Sequence, residues 1–314
     1  MKRFKNVLFL ADRHPVPSQT LGRAIRLARG NKARLTVLAV AESVDELDHN
    51  PELDGLSVKN ALQIELLRGI DDALDKLDAD DRRRVDIRTR AELGIPFLIA
   101  IREVASHGID LLIKAAERPP GPVQRLLGST DMHLLRKAPC PVWIEPESDM
   151  PHHRRIVAAI DPLSDAADGL DQTILELATS LAISEGADLH VVHAWHLPGE
   201  EMLSRGRALI SETELQQLRT STEKRHREAV AQTLRAFRTL PLPIHEYFVN
   251  GMPDESIQQI ADSRNADLIV MGTLGRTGIP GFFIGNTAER VLSNATCGVL
   301  AVKPVGFQSP VLAA

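Results

Sequence analysis

The chain repeats itself at one constant offset, and this repeat limits the folds it can adopt more than any other feature. Four pairs of identical residues lie 157 positions apart (251 − 94 = 157): Gly94 and Gly251, Asp110 and Asp267, Gly128 and Gly285, and Cys140 and Cys297. The offset is also half of the 314-residue length. Self-similarity at a fixed period indicates duplicated structural units. The sequence therefore predicts two tandem copies of one domain, over residues 1–147 and 153–305, with a short polar join between them.

Each copy contains the same succession of short apolar runs and helical stretches. The first copy opens with residues 7–10, a run that ends at Asp12, and the second with residues 156–160, a run that ends at Asp161. Apolar runs without polar alternation are typical of strands that are buried on both faces of a parallel sheet. Alternating strands and helices predict an α/β chain of two doubly wound domains, each a five-stranded parallel sheet flanked by helices.

Composition excludes several classes of partner. The formal net charge of −5 provides no overall positive field for nucleic acid or an anionic membrane. No stretch approaches the ~18 uncharged apolar residues of a membrane span. The apolar run that ends at Asp12 is shorter than the roughly 7–15 residues of a secretory signal, and two cysteines cannot form a disulfide framework. We therefore expect a cytoplasmic protein with no nucleic-acid or membrane partner.

A glycine-rich segment in the second copy is the strongest functional signal. The predicted fourth strand, residues 266–270, leads into residues 272–287, which contain five glycines and end where a helix is predicted to begin. Glycines let a backbone approach a ligand closely, and a helix N-terminus adds unpaired N–H donors and a positive dipole end. The segment therefore predicts a phosphate cradle. Asp161, at the end of the neighbouring first strand, could accept hydrogen bonds from sugar hydroxyls.

The spacing of these glycines resembles a known family. Gly272, Gly275 and Gly285 form the array Gly-x2-Gly-x9-Gly of the ATP-binding universal stress proteins, and residues 285–292 resemble their tandem, E-type subgroup. The resemblance extends over nearly the whole chain and implies the adenine nucleotide alpha hydrolase-like fold. It also implies ATP, with Mg²⁺ an optional companion, in the second copy, with Asp161 on the ribose and Ala194 beside the adenine. The implied nucleotide-site residues are Asp161, Ala194, Met271, Gly272, Gly275, Arg276, Gly285, Asn286 and Thr287.

The first copy lacks most of this loop. Ala115 and Arg118 replace Gly272 and Gly275, and each proline that follows them, Pro119, Pro120 and Pro122, removes a backbone donor. Some candidate site residues remain in this copy: Asp12, Gly128, Ser129 and Thr130. We predict a site that is degenerate for ATP, which leaves open another ligand or a purely structural role.

Several of these residues could have a structural role and no role in ligand binding. Gly272 and Gly275 could be turn glycines, Ser129 and Thr130 a helix N-cap, and Asp12 either a cap or a site residue. His190, His193 and His196 have a spacing that suggests zinc, but side chains alternate along a strand, so no shared metal is expected. Cys140 and Cys297 are interpreted as packing residues.

The functional hypotheses follow from the absence of common catalytic motifs. The sequence contains no Walker-type loop, nucleophile elbow or zinc-protease motif. The first hypothesis is therefore an ATP-binding regulatory protein of the stress response, with no catalytic residues assigned. The alternatives are a slow ATP hydrolase and a carrier of a non-nucleotide ligand in the first copy. The apolar fifth strands, residues 141–144 and 298–302, are predicted to pair as an internal pseudo-dimer. This is also how the family forms homodimers, so association of two chains stays open.

Overall fold

The chain folds into two compact units, seen in a computed structural model that describes residues 4–42, 55–117, 127–147, 152–164, 169–205, 210–273 and 284–312. The first unit comprises residues 1–152, 279–283 and 293–314, and the second comprises residues 153–278 and 284–292. The final strand therefore groups with the first unit. The domain limits of 1–147 and 153–305 stay a prediction.

The first unit contains a sheet of six strands among the described residues. Strands β1, β2, β3, β4 and β5 are parallel in the order β3-β2-β1-β4-β5, and β10 joins β5 antiparallel, with Leu300 opposite Trp143. The elements of this unit are β1 (Asn6–Ala11), α1 (Ser18–Asn31), β2 (Arg34–Ala41), α2 (Gly55–Asp75), α3 (Ala79–Arg83), β3 (Asp86–Leu93), α4 (Pro96–His107), β4 (Leu111–Ala115), α5 (Ser129–Lys137), β5 (Val142–Glu145) and β10 (Gly298–Val302).

The second unit repeats this arrangement with four parallel strands in the order β9-β6-β7-β8. A short 3-10 turn at Phe237–Thr239 precedes β8. The elements are β6 (Arg155–Ala159), α6 (Leu170–Glu185), β7 (Asp188–Trp195), α7 (Glu200–Arg205), α8 (Glu212–Leu234), β8 (Ile244–Asn250), α9 (Pro253–Ser263), β9 (Leu268–Gly272) and α10 (Asn286–Asn294).

Local sequence explains where the helices begin and end. Proline is the first residue of both α4 and α9, where its missing N–H costs no helical hydrogen bond. Helix α4 ends at Gly108 and α6 at Gly186, and both glycines adopt the left-handed conformation that closes a helix. These stop signals keep the strand–helix connections short.

The core lies in the apolar strands of each unit. Every residue of β4, β5 and β10 is buried, as are the four that follow Arg155 in β6. The apolar runs without alternation are thus buried on both faces, and the predicted α/β fold of parallel strands flanked by helices is confirmed. In the parts of the chain that the structure describes, no helix is both long and apolar enough to cross a lipid bilayer.

Candidate functional site

A cavity of about 510 Å³ opens at the carboxyl ends of β6, β7 and β9 in the second unit. In a doubly wound sheet this edge is where ligands bind, because the connections leave a crevice there. Six of the residues predicted for the nucleotide site line the cavity: Asp161, Ala194, Met271, Gly272, Asn286 and Thr287. The rest of the wall is mostly apolar, with Ile160, Leu170 and Ile174 among its residues. The cavity thus combines an apolar body with a few polar groups.

The other three predicted residues are not among the described residues that line the cavity. Gly275 and Arg276 lie outside the described residues. Gly285 lies just before α10, and its N–H donates a hydrogen bond to the carbonyl oxygen of Thr273 at 2.8 Å. This bond joins the two ends of the glycine-rich segment, so the start of α10 is held next to the end of β9.

Asp161 is positioned by a second carboxylate that the sequence did not reveal. The backbone N–H of Asp161 donates to Oδ1 of Asp171, in the first turn of α6, at 3.0 Å. Both residues line the cavity. Burial, and to a lesser extent the negative charge of Asp161, raises the pKa of Asp171 to about 6. The wall of the cavity therefore carries two neighbouring carboxyl groups, one of which titrates near neutral pH.

A buried histidine, His193, contacts the backbone next to Asp161. Nδ1 of His193 lies 3.0 Å from the carbonyl oxygen of Ile160, the residue before Asp161, and its Nε2 lies 2.8 Å from Nδ1 of His226 on α8. Both histidines are more than nine-tenths buried. The end of β6 is therefore linked to α8 through two imidazoles.

Gly272 is required by packing as well as by the predicted site. A Cβ atom on this residue would lie 2.6 Å from Cδ2 of Leu170, at the start of α6. The glycine therefore lets the end of β9 approach the first turn of α6, and a plain turn does not explain it. A valine at this position would overlap Leu170, so it would not report on ligand binding alone.

The polar end of the cavity is formed by the first turn of α10. Asn286 and Thr287 are the first two residues of this helix, and both line the cavity. The N–H groups of a first turn have no partner within the helix, and they carry the positive end of its dipole. No lysine or arginine is among the described residues that line the cavity. Among these residues, the groups that can donate to an anion are main-chain N–H groups and polar side chains such as that of Asn286.

Comparison with known families identifies the chain. The profile of the Universal stress protein family matches residues 3–146 and again residues 152–303. The chain belongs to this family.

Several relatives are similar to the chain over most of its length. The chain is 30% identical over 237 residues to Universal stress protein E of Photorhabdus laumondii, covering 70% of this chain and 69% of that protein. It is 31% identical over 225 residues to Universal stress protein E of Escherichia coli K12, covering 69% and 67%. A functionally unknown protein of Pseudomonas aeruginosa PAO1 has a similar structure, with a TM-score of 0.67, 25% identity, and coverage of 96% and 94%.

In the first universal stress protein domain, a buried lysine occupies the corresponding end of the sheet. Lys114 aligns with Met271 at the 157-residue offset (271 − 114 = 157), and its side chain is fully buried. Its Nζ lies 3.1 Å from the carboxylate of Asp12 and 2.8 Å from that of Asp131. Asp131 in turn aligns with Ala288. The first domain therefore has an ion pair between Lys114 and Asp131 where the second domain has two apolar residues, Met271 and Ala288.

The charges of this cluster are unequal in number. Glu117 is a third carboxylate, 3.8 Å from Nζ of Lys114. Desolvation lowers the pKa of Lys114, but Asp131 and Asp12 outweigh it, and the net shift is upward. Burial raises the pKa of Asp12 by more than the charge and hydrogen bond of Lys114 lower it. The cluster therefore holds an ionised lysine beside carboxylates that burial destabilises.

The other candidate residues of the first domain support this cluster. The side chain of Asp131 accepts hydrogen bonds from the N–H groups of Gly128 and Glu117, at 3.0 and 2.9 Å. A Cβ on Gly128 would lie 1.6 Å from Oε2 of Glu117, so only glycine fits there. Ser129 and Thr130 are the first two residues of α5, and Gly128 is the N-cap. Their interpretation as the N-cap is wrong, because the cap position falls one residue earlier.

The loop prolines of the first domain lie outside the described residues. Ala115, at the position of Gly272, is the buried last residue of β4. The signal that could have revealed the lysine cluster was present in the register of the repeat, where Lys114 and Asp131 replace two apolar residues of the second copy. No comparable signal marked Asp171.

His190 and His193 have different partners. His190 contacts Tyr247 at 3.0 Å, whereas His193 contacts His226. Among the described residues no three metal-binding side chains come together. Cys140 and Cys297 are both buried thiols, and burial raises the pKa of Cys140 to about 12.

Proposed function

We propose that this universal stress protein binds an adenine nucleotide in the cavity of its second domain and acts as an ATP-binding regulatory module of the stress response. One observation carries the proposal. Residues that are far apart in the sequence, Asp161, Ala194 and Asn286, line one cavity at the ligand-binding edge of the sheet. Their chemistry suits the three parts of a nucleotide.

The cavity fits such a ligand part by part. Its volume of about 510 Å³ lies within the range of small-molecule pockets. Apolar side chains beside Ala194 suit the flat face of adenine, and the carboxylate of Asp161 can accept hydrogen bonds from ribose hydroxyls. The first turn of α10 can donate to phosphate oxygens. A magnesium ion, if it binds, would arrive with the phosphates.

The first domain is proposed to bind no ATP. Lys114 forms ion pairs with Asp12 and Asp131 in a buried cluster at the position that corresponds to the nucleotide site. Entry of a nucleotide would require this cluster to open and its charges to separate, which is costly in a low dielectric. We propose a structural role for this domain, with its antiparallel β5–β10 pair as the seam of an internal pseudo-dimer.

The compartment is proposed to be the cytoplasm. Neither cysteine is in a disulfide, and both are buried. Free thiols of this kind are typical of a reducing compartment.

Calorimetric titration with ATP tests the nucleotide site. We expect one ATP per chain for the wild-type protein. Asp161→Ala should lower the affinities for ATP and for adenosine by about 10- to 100-fold, because a hydrogen bond to a charged group contributes about 1.5–3 kcal/mol to binding. The control is Asp188→Ala, at the opposite end of the sheet, which should leave both affinities unchanged. An unaltered affinity in Asp161→Ala, or no binding by the wild type, would contradict the proposal.

Phosphate release distinguishes binding from hydrolysis. We expect stoichiometric binding without steady turnover, because no pair of nucleophile and base is assigned at the cavity. Turnover that disappears in Asp161→Ala would instead make the protein a slow ATP hydrolase.

A further inference from the structure

Asp171 faces the proposed nucleotide cavity but belongs to no part of the site that the sequence predicted. Its Oδ1 accepts the N–H of Asp161 at 3.0 Å, and both residues line the cavity wall. Resting on the nucleotide function proposed above, we infer that Asp171 is a specificity-determining residue, whose protonation selects how strongly the cavity binds anionic ligands. ATP binding would then be accompanied by proton uptake onto this carboxylate.

The position of Asp171 is fixed from two sides. It is the second residue of α6, directly after Leu170, and Leu170 packs against Gly272 so closely that no Cβ fits between them. Its hydrogen bond to the Asp161 backbone joins the helix to the end of β6. Because both contacts hold the first turn of α6 in place, Asp171 cannot withdraw from the cavity without disturbing that turn. The Asp171 carboxyl group is therefore a fixed part of the cavity wall.

Little positive charge faces this carboxylate. Among the described residues that line the cavity, the other ionisable side chains are Asp161 and the exposed His196. Helix α6 packs on β6, β7 and β9. The ionisable residues of these strands are Arg155, Asp188 and His190 in the amino-terminal halves, and His193, which bonds to Ile160 and His226. When both carboxyl groups are ionised, their negative charges oppose the binding of a phosphate group at the start of α10.

The sign of the pH dependence follows from the titration of Asp171. Burial first, and the charge of Asp161 second, raise the pKa of Asp171 to about 6. Above that pH the carboxyl group is ionised, and below it the group is neutral. An anion in the cavity favours the neutral form and raises the pKa further. Affinity for an anionic nucleotide should therefore increase as the pH falls through 6, with partial uptake of a proton that is largest between the pKa values of the free and the bound protein.

Asp171→Asn isolates this charge. Asparagine keeps an Oδ1 atom that can accept the Asp161 N–H, but it carries no charge at any pH. We would titrate the wild type and this variant with ATP at pH 7.5 and pH 5.5, and repeat the titration in buffers of different ionisation enthalpy to count protons. The comparison is made between proteins at each pH, so that protonation of ATP itself cancels.

At pH 7.5 we expect Asp171→Asn to bind ATP about five- to tenfold more tightly than the wild type, since a shift of one pKa unit corresponds to a factor of ten. At pH 5.5 the two affinities should converge, because Asp171 is then mostly neutral in the free wild type, and at both pH values the wild type should take up more protons on binding ATP than Asp171→Asn does. Asp110→Asn is the matched control. Burial also raises the pKa of Asp110, and its carboxylate also accepts backbone N–H groups, but it lies in the first unit.

The outcomes separate the two proposals. If ATP binds and Asp171→Asn matches the wild type in affinity and proton uptake at both pH values, the inference is overturned while the nucleotide site stands. The same holds if Asp110→Asn changes the pH profile as much as Asp171→Asn. If neither the wild type nor any variant binds ATP at either pH, the proposed function itself fails.

Discussion

Replacing Lys114 by methionine should lower the free energy of unfolding by about 3–5 kcal/mol, the usual cost of breaking a buried ion pair from one side. The lysine side chain is fully buried, and that of Asp131 is equally so. Without the ammonium group, Asp12 and Asp131 would have to stay ionised in the core with no cation or take up protons. Both alternatives destabilise the folded state at neutral pH.

Urea denaturation followed by circular dichroism measures this loss. Lys224→Met is the control, because the ion pair of Lys224 with Glu228 is largely exposed and spans 3.9 Å. Exposed pairs contribute about 0–1 kcal/mol, so this control should remain close to the wild type. If Lys114→Met were as stable as the wild type, the cluster would not hold the first domain together as described.

The double variant Lys114→Met with Asp131→Ala tests whether the charges are the cause. It places the two residues of the second copy, Met271 and Ala288, at the equivalent positions of the first. Because it removes one of the uncompensated carboxylates together with the lysine, it should recover part of the stability that Lys114→Met loses. A loss equal to the sum of the two single variants would show that packing, and not charge, governs this site.

Asn286→Pro should lower the affinity for ATP by about 10- to 100-fold and leave the affinity for adenosine within about twofold of the wild-type value. Asn286 is exposed and is the first residue of α10. Proline is well tolerated at the first helical position, but it supplies no N–H and removes the side-chain amide. The variant therefore deletes donors that would face phosphate and leaves the nucleoside part of the cavity intact.

The repeat supplies a matched control for this variant. Ser129 is the first residue of α5 and aligns with Asn286 at the same offset (286 − 129 = 157). Ser129→Pro makes the same backbone change in the domain proposed to bind no nucleotide, so ATP affinity should not change. Equal losses for ATP and adenosine in Asn286→Pro would indicate that α10 does not hold the phosphates.

The fold was predictable because its signals are local and occur twice. Buried runs such as residues 7–10 and 156–160 have no polar alternation, and helix boundaries are marked by Pro96, Gly108 and Pro253. The sequence predicted that the two apolar fifth strands pair, and β5 and β10 do pair. The grouping of the final strand with the first unit was not predicted, because the two strands carry no complementary pattern beyond being apolar.

The site was predictable where it depends on the ends of strands, and less so where it depends on side-chain partners. Strand ends placed Asp161, Met271 and Gly272 at one edge, and the structure brings them to one cavity. Lys114 was missed because a lysine at the end of an apolar run usually points to water. Asp171 was missed because its partner is a backbone N–H group, and every residue except proline has one, so the sequence pattern does not indicate the contact.

The hydrogen bond between Gly285 and Thr273 has a consequence for how this chain can change over time. It closes the base of the segment that runs from residue 274 to residue 284, so the sheet and α10 are anchored independently of what lies between them. Substitutions, insertions or deletions inside that segment can therefore accumulate while the end of β9 and the start of α10 keep their positions.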